Sequence, residues 1–452
     1  MKQLTFTPHP EKSLQLPWNL VQAGVLIFFL LPIWGGVAIS LGVLITLKQC
    51  FKQIVRQPVV QALAILTTLL VITSFQAELP GEALLGLGNF LPYFLVFIGL
   101  SCLIRTDQQL RHLAWLIVLP ASLVTILGLG QQFLNWSGVE SLQSLFGWVL
   151  VEGGNPPGRM ASVFMYANLL AAYLVVVFAL ALGLLLEQIV SYHPTQRFQV
   201  ALLSITLLIV GVGLIFTNSR NAWGVAVLIS LAYVIYLGWY KLLYVFLGAV
   251  AAVFAAAFAP NPVNRPLRAV VPAYFWQRLT DQNFERPIET LRITQWKFAW
   301  NLASDRPWLG WGMRNFTPLY ESQMQVWMGH PHSLFLMMVA EVGFPISLFF
   351  GSIVGWILAK GIIVARESSG AFDIAQGNGA LRFANGTLQG NSFRDGPLGF
   401  IFAGYVIAFG ALIVFNCFDV TIFDLRINTL GWLVLAGIHG VSKTVNLQMS
   451  VE

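Results

Sequence analysis

Apolar runs of roughly 18 residues or more recur along most of this chain, and they limit it to very few folds. Each run is long enough to cross about 30 Å of hydrocarbon as a helix. Backbone groups inside a bilayer must bond to one another, which leaves helices or a closed barrel as the spanning structures. The 452 residues are 57% apolar and 10% charged, against about 25% charged in ordinary soluble domains. The expected fold class is an all-α integral membrane protein.

Ten runs lie at about 58–76, 84–104, 112–134, 162–187, 198–217, 219–239, 242–259, 333–359, 397–417 and 425–442. The first apolar stretch, Leu20 to Leu47, is interrupted at Pro32-Ile33-Trp34-Gly35-Gly36. It reads either as one kinked helix or as two short ones. Lys48, Lys52 and Arg56 follow it, and basic residues favour the cytoplasmic side. Two short helices return those charges to the cytoplasm, so the expectation is about twelve crossings (eleven with a single kinked helix) and both termini inside. Arg105, Arg111, Arg197, Lys241, Lys360, Arg366, Arg382, Arg394 and Lys443 fall on the same inner side.

This register divides the chain into membrane helices over 1–259, an extracytoplasmic segment over 260–331, and a second set of membrane helices over 332–452. The last part contains a cytoplasmic linker at 361–396, rich in Gly, Asn and Ser from Ala371 onward and expected to be mobile and without a site. The formal charge of +6 could suggest nucleic acid, but no basic stripe interleaved with aromatics is present, and none is expected as a partner. Cys50, Cys102 and Cys417 lie far apart, with neither metal-ligand nor disulfide spacing. The N-terminus lacks a convincing small-residue cleavage site and reads as retained. No internal repeat of the secondary-transporter kind is visible.

The polar segment 260–331 holds most of the groups able to do chemistry. Within it Leu291, Ile293, Trp296, Ala299, Trp300 and Leu302 recur at spacings near three and four. This predicts an amphipathic helix lying on the membrane or capping a cavity, ended by Asp305-Arg306-Pro307. On the outer side, ten basic residues from Arg159 through Arg314 exceed what orientation requires, and an anionic partner explains them.

Arg220 sits in a short turn of two or three residues between apolar helices. It is either a snorkelling residue at the headgroups or a planar fork that grips phosphate through paired hydrogen bonds. Arg292 on the amphipathic helix and Arg159 after a Pro-Gly break carry the same two readings. His332, where the polar segment meets an apolar helix, suits a general base or a structural cap. His330 makes an H-x-H pair with it, but no third metal ligand is marked by spacing, so no metal is expected. Glu341 lies nine residues on, half a turn out of phase and roughly 13 Å deeper; it is expected to meet another helix rather than His332. Asp419 and Asp424, in the link before the last helix, could reach the site.

These stretches resemble the O-antigen ligase and polymerase superfamily. The resemblance rests on Gly158-Arg159-Met160-Ala161-Ser162-Val163-Phe164 leading to Asn168; on Thr217-Asn218-Ser219-Arg220; on Leu291-Arg292 with Trp296, then Arg306-Pro307-Trp308-Leu309-Gly310-Trp311-Gly312; and on His332-Ser333-Leu334-Phe335-Leu336 followed by Glu341 and Gly343. They run in family order over about residues 158 to 343. The resemblance implies a twelve-helix inner-membrane glycosyltransferase of polysaccharide or lipopolysaccharide biosynthesis. Such an enzyme moves a glycan from an undecaprenyl pyrophosphate carrier to a hydroxyl on a glycan, lipid or protein, on the periplasmic side and with inversion. It implies no metal, nucleotide or other cofactor. By the same resemblance, Arg220 and Arg292 hold the pyrophosphate, with Arg159 beside them, and His332 is the catalytic base. Ser333 departs from the pattern, because many relatives have asparagine there, and a hydrogen bond expected from that amide must be replaced or absent.

The chain also resembles a cyanobacterial branch once proposed to carry bicarbonate, so a membrane transporter of a small anion is the alternative. A transporter calls for ionisable groups or broken helices near the bilayer midplane. Here the polar groups gather at the outer helix ends, which favours the transferase.

Overall fold

The computed structural model describes residues 6–138, 143, 145–190, 196–280, 287–369 and 398–449. The described residues form helices and no strand. In chain order these are α1 (Gln15–Phe28), α2 (Pro32–Ile54), α3 (Pro58–Phe75), α4 (Pro80–Gly86), α5 (Leu91–Leu103), α6 (Asp107–Phe133), α7 (Ala167–Val190), α8 (Arg197–Phe216), α9 (Arg220–Tyr236), α10 (Tyr240–Phe258), α11 (Asn264–Val270), α12 (Ala273–Thr280), α13 (Arg292–Asp305), α14 (Phe316–Met324), α15 (Leu334–Val342), α16 (Phe344–Ser369), α17 (Leu398–Cys417) and α18 (Leu425–Met449).

Among the described residues, nine helical stretches are long and apolar enough to cross a membrane. They are α2, α3, α4 with α5, α6, α7, α8, α10, α16 and α17. The expected count of twelve also included α1, α9 and α18, which are not among the nine. At 14 residues, α1 is only about 21 Å long. The chain is an integral membrane protein whose regular elements, among the described residues, are all helices.

The interrupted first stretch forms two helices, as the charge pattern favoured. They pack antiparallel through glycines. A Cβ on Gly24 would come within 2.7 Å of the Ile39 side chain, one on Gly35 within 2.6 Å of the Phe28 Cα, and one on Gly42 within 2.8 Å of the Pro17 carbonyl. Small residues allow this close backbone approach, a common device where hydrocarbon offers no hydrophobic driving force.

At the centre stands α7. Within the protein 72% of its span is buried, against 11% for the peripheral α10. Tyrosines cross-link this centre by donating to carbonyls of neighbouring helices: Tyr173 to Ile117 at 3.0 Å, Tyr405 to Leu110 at 3.0 Å and Tyr233 to Ala179 at 2.8 Å. In a medium without competing water, each of these bonds both satisfies a hydroxyl and fixes helix register.

Two expectations need correction. The apolar run 333–359 is not one helix, because it breaks at Gly343 into α15 and α16. The strap 306–312 passes across the break. Its Trp311 and Gly312 N–H groups donate to the Ala340 and Glu341 carbonyls at 3.0 and 2.8 Å, and Phe344 N–H donates to the Pro307 carbonyl at 2.8 Å. Gly310 and Gly343 have φ of +65° and +80°, and a Cβ on either would lie 2.4 Å from the opposing backbone. The apolar pattern reads straight through a glycine whose purpose is this crossing. The linker expected over 361–396 also starts later, since α16 continues helically to Ser369; residues 370–397 lie outside the described residues.

Candidate active site

The link between α17 and α18 presents Asp419 at the centre of a polar cluster. The link is held at both ends: Asn416 Oδ1 accepts from the Thr421 N–H at 3.0 Å, and Asp424 Oδ1 accepts from the Arg426 and Ile427 N–H groups at 2.9 and 3.1 Å. Asp424, one of the two acids expected to reach the site, therefore caps α18 and pairs with Arg426 at 3.2 Å. Asp419 alone of the two enters the site, and it is buried.

Four groups converge on Asp419. His332 Nδ1 lies 3.2 Å from Oδ1, Arg292 Nη2 3.7 Å from Oδ2 and His330 Nε2 4.0 Å from Oδ1, while Asn168 Nδ2 donates to Oδ2. The carboxylate can only accept, so His332 donates to it through Nδ1–H, which in the neutral ring leaves Nε2 as the acceptor. That is the tautomer needed to remove a proton from a bound hydroxyl. Burial pushes the Asp419 pKa up, but the His332 hydrogen bond and the charges of His332, His330 and Arg292 more than offset this and hold it at about 2. Asp419 is a carboxylate at any working pH.

Arg159 reaches the cluster from the loop before α7. Gln131, buried near the end of α6, accepts from the Ala161 and Ser162 N–H groups at 3.1 and 2.8 Å, and Met160 N–H donates to the Phe216 carbonyl at 2.9 Å. This clamps Arg159 between the ends of α6 and α8. Its Nη2 donates to Asn168 Oδ1 at 2.5 Å and its Nε to the Thr217 carbonyl at 2.9 Å. Burial, together with the neighbouring charges of Arg278 and Arg292, lowers its pKa to about 10 against the opposing pull of Tyr166 and Asp419. It remains charged at neutral pH.

Arg220 is the first residue of α9 rather than a turn residue. Ser219 caps that helix, accepting from the Ala222 N–H at 3.4 Å. Arg220 Nη1 donates to the Arg278 carbonyl, and Arg278 Nη2 to the Asn218 carbonyl, both at 3.4 Å. Arg159, Arg292 and His332 lie around Asp419, and Arg220 joins this region through Arg278, which bonds to the same 217–220 turn that Arg159 contacts.

Three further residues take roles in the folded chain that the sequence did not assign them. Asp419 is the hub, Asn168 bridges it to Arg159, and Arg278 is a buried guanidinium beside Arg159. An acid in a short link between apolar helices was the available signal for Asp419. The remaining basic residues of this segment form no uniform positive field. Arg306 pairs with Glu78 at 2.9 Å and lies over the Trp311 ring, Arg314 pairs with Glu82 at 3.1 Å, and Arg268 lies over Trp276 and donates to the Ala256 carbonyl at 2.7 Å.

The amphipathic helix is present as α13, with Arg292 in its first turn and its end at Asp305. Its buried face differs from the expected one. Phe298, Ala299, Leu302 and Ala303 are inward, while Ile293 and Trp300 are about half exposed. Phe298 packs edge-on against Phe316 and Tyr320 of α14, and this aromatic contact sets the rotation of the helix. Glu341 meets α14 as well, where it accepts from the Phe316 N–H at 3.4 Å. Burial raises its pKa to about 8 despite the lowering effect of that bond, of the Arg314 N–H and of the Arg314 charge. Ser333, in the place where relatives carry asparagine, caps α15 by accepting from the Leu336 N–H at 3.4 Å.

Nitrogens of His330 and His332 and an oxygen of Asp419 lie within 4.8 Å of one another, a grouping able to hold a cation. Asp419 supplies the third donor that the sequence spacing did not mark. The hydrogen bonds drawn here use the same atoms differently, since His332 Nδ1 carries a proton toward Asp419 and His330 Nδ1 accepts the His332 N–H at 3.1 Å. With Arg292 also at the carboxylate, the donor set fits a hydrogen-bonded acid–imidazole pair better than a metal centre.

No curated protein matches the chain. The family model described as O-antigen ligase matches residues 205–351, a stretch that contains Arg220, Arg278, Arg292, His330, His332 and Glu341. The protein is a membrane protein, helical throughout its described residues, and its residues 205–351 are similar to the O-antigen ligase family.

Proposed function

We propose that the protein is a metal-independent, inverting glycosyltransferase that takes a glycan from an undecaprenyl pyrophosphate carrier at the periplasmic face of the inner membrane. The observation that carries this reading is the convergence of His332, Asp419, Arg292 and Arg159, with Arg220 joined to them through Arg278, inside a chain whose residues 205–351 match the O-antigen ligase family model.

In the proposed reaction Asp419 keeps the proton on His332 Nδ1 and steadies the imidazolium that forms. The acceptor hydroxyl gives its proton to His332 Nε2 while its oxygen bonds to the anomeric carbon from the face opposite the pyrophosphate. The bond from that carbon to the pyrophosphate oxygen breaks, and the electron pair leaves with the pyrophosphate. Arg220, Arg292 and Arg159 stabilise the charge that builds there, the task for which fixed, partly desolvated guanidinium groups are best suited. A lipid carrier accounts for a site at the ends of membrane helices. The acceptor is a hydroxyl on a glycan, a lipid or a protein.

The test uses the full-length protein in lipid nanodiscs with an undecaprenyl-pyrophosphate-linked glycan and a hydroxyl acceptor. Wild type should release one lipid pyrophosphate per glycan transferred, and Arg220→Ala and His332→Ala should release almost none. Equal transfer by both variants would reject the assignment. Uptake of bicarbonate into liposomes without any glycan donor would favour the anion transporter instead.

A further inference from the structure

His330 is not needed to accept the substrate proton, yet the fold builds it carefully into the cluster. Its Nδ1 accepts the backbone N–H of His332 at 3.1 Å. A backbone N–H is always a donor, so this nitrogen bears no proton and the ring hydrogen sits on Nε2. That Nε2 faces Asp419 Oδ1 at 4.0 Å. The ring stacks on Phe423 with centroids 6.0 Å apart and planes 18° apart, and it stands edge-on to His332 at 4.5 Å.

His332 has φ of +49°, in the left-handed region that side chains larger than glycine seldom occupy. A residue held there needs its surroundings to fix it. The bond from its own N–H to His330 does so at short range, in the way that Asx turns fix a backbone. Phe423 lies four residues from Asp419 in the same link. His330 therefore holds the backbone of His332 with one edge and rests on the Asp419 link with its face.

We propose that His330 is a positioning residue: it sets the backbone of His332 and docks it against the Asp419 link, so that Nδ1 meets the carboxylate and Nε2 points to the acceptor. This inference rests on the transferase reading for its kinetic consequence but not for its geometry.

Three variants of the full-length protein in nanodiscs separate the contributions. His330→Asn keeps an acceptor at the Nδ1 position and loses the ring. His330→Phe keeps a ring and loses the acceptor, and His330→Leu loses both. A displacement of about 1 Å costs on the order of a hundredfold in rate, so His330→Phe and His330→Leu should lower kcat by about that much while the donor KM stays within about twofold. His330→Asn should recover to within about tenfold of wild type.

A second readout is independent of activity. With 15N-labelled histidine, the His332 ring should show a protonated Nδ1 in wild type and His330→Asn, and should lose it in His330→Phe. Equal kcat in wild type and His330→Phe, or equal damage in His330→Asn and His330→Phe, would overturn the inference, as would an unchanged His332 ring signal in His330→Phe. Loss of wild-type activity on chelation, restored by a divalent metal, would also overturn it by making His330 a ligand. A wild-type protein that transfers no glycan would reject the proposed function, and the ring signals would still decide the role of His330.

Discussion

The two ends of α6 and α7 handle arginine in opposite ways. At one end Arg111 is clasped by Glu187 at 2.6 and 2.9 Å and by Asp107 at 3.3 Å. Roughly 30 Å away along α6, at about 1.5 Å per residue, Arg159, Arg278 and Arg292 share a region whose hub is Asp419. Asp419 is divided between a guanidinium, two imidazoles and an amide. The first arrangement is a bidentate fork closed on a carboxylate, which locks two helices together. The second brings like charges close to one another, a costly arrangement suited to an anionic ligand whose arrival neutralises it. One end is closed on its own carboxylates, and under the proposed function the other is where the substrate's charge is met.

This contrast should appear in variants, and the largest effect belongs to the second end. His332→Ala should lower kcat for glycan transfer by about 10²- to 10⁴-fold, the usual worth of a positioned general base, while the protein stays folded in the membrane by size-exclusion chromatography. Arg220→Ala and Arg292→Ala should each cost about 10²- to 10³-fold, read in the same transfer assay.

At the first end the expectation reverses. Arg111→Gln leaves the Glu187 carboxylate, whose side chain is 5% exposed, without its clasp. It should destabilise the fold by about 2–3 kcal/mol with unchanged kcat. The double variant Arg111→Gln with Glu187→Gln should recover much of the thermal midpoint. A fall in kcat for Arg111→Gln with no loss of thermal midpoint would break the comparison.

A smaller effect tests the strap between the two halves of the run 333–359. With the Glu341 pKa raised from 4.5 to about 8, the folded protein holds a proton that the unfolded chain has released. Stability from this group is fully present below about pH 4.5 and is lost as the pH rises through 8. Glu341→Gln mimics the protonated form and should flatten that part of the thermal-midpoint profile. Asp419 has the opposite sign: its pKa falls from 3.8 to about 2, so its contribution is present above pH 3.8 and lost as the pH drops through 2.

The membrane helices were legible because length and apolarity alone determine which segments can enter hydrocarbon. Arg159, Arg220, Arg292 and His332 were legible as candidates for a related reason, since charged and imidazole side chains at the ends of apolar runs stand out against their background. Their common centre was not. Asp419 lies 87 residues from His332 and 251 from Asn168, and no local periodicity connects such positions. The rotation of α13 and the break at Gly343 were hidden too. The first depends on aromatic partners in another helix, the second on a backbone crossing that a run of apolar residues does not reveal. Glu341 does meet another helix, but the phase argument that separated it from His332 placed both on one helix, whereas His332 lies before α15 with φ of +49°.

The most direct measurement is a structure of the protein in nanodiscs with an unreactive undecaprenyl-pyrophosphate-linked glycan bound. The account predicts the pyrophosphate against Arg159, Arg220 and Arg292, with the anomeric carbon facing His332 Nε2. A pyrophosphate bound away from these guanidinium groups, or an anomeric carbon beyond the reach of any acceptor activated by His332, would contradict it.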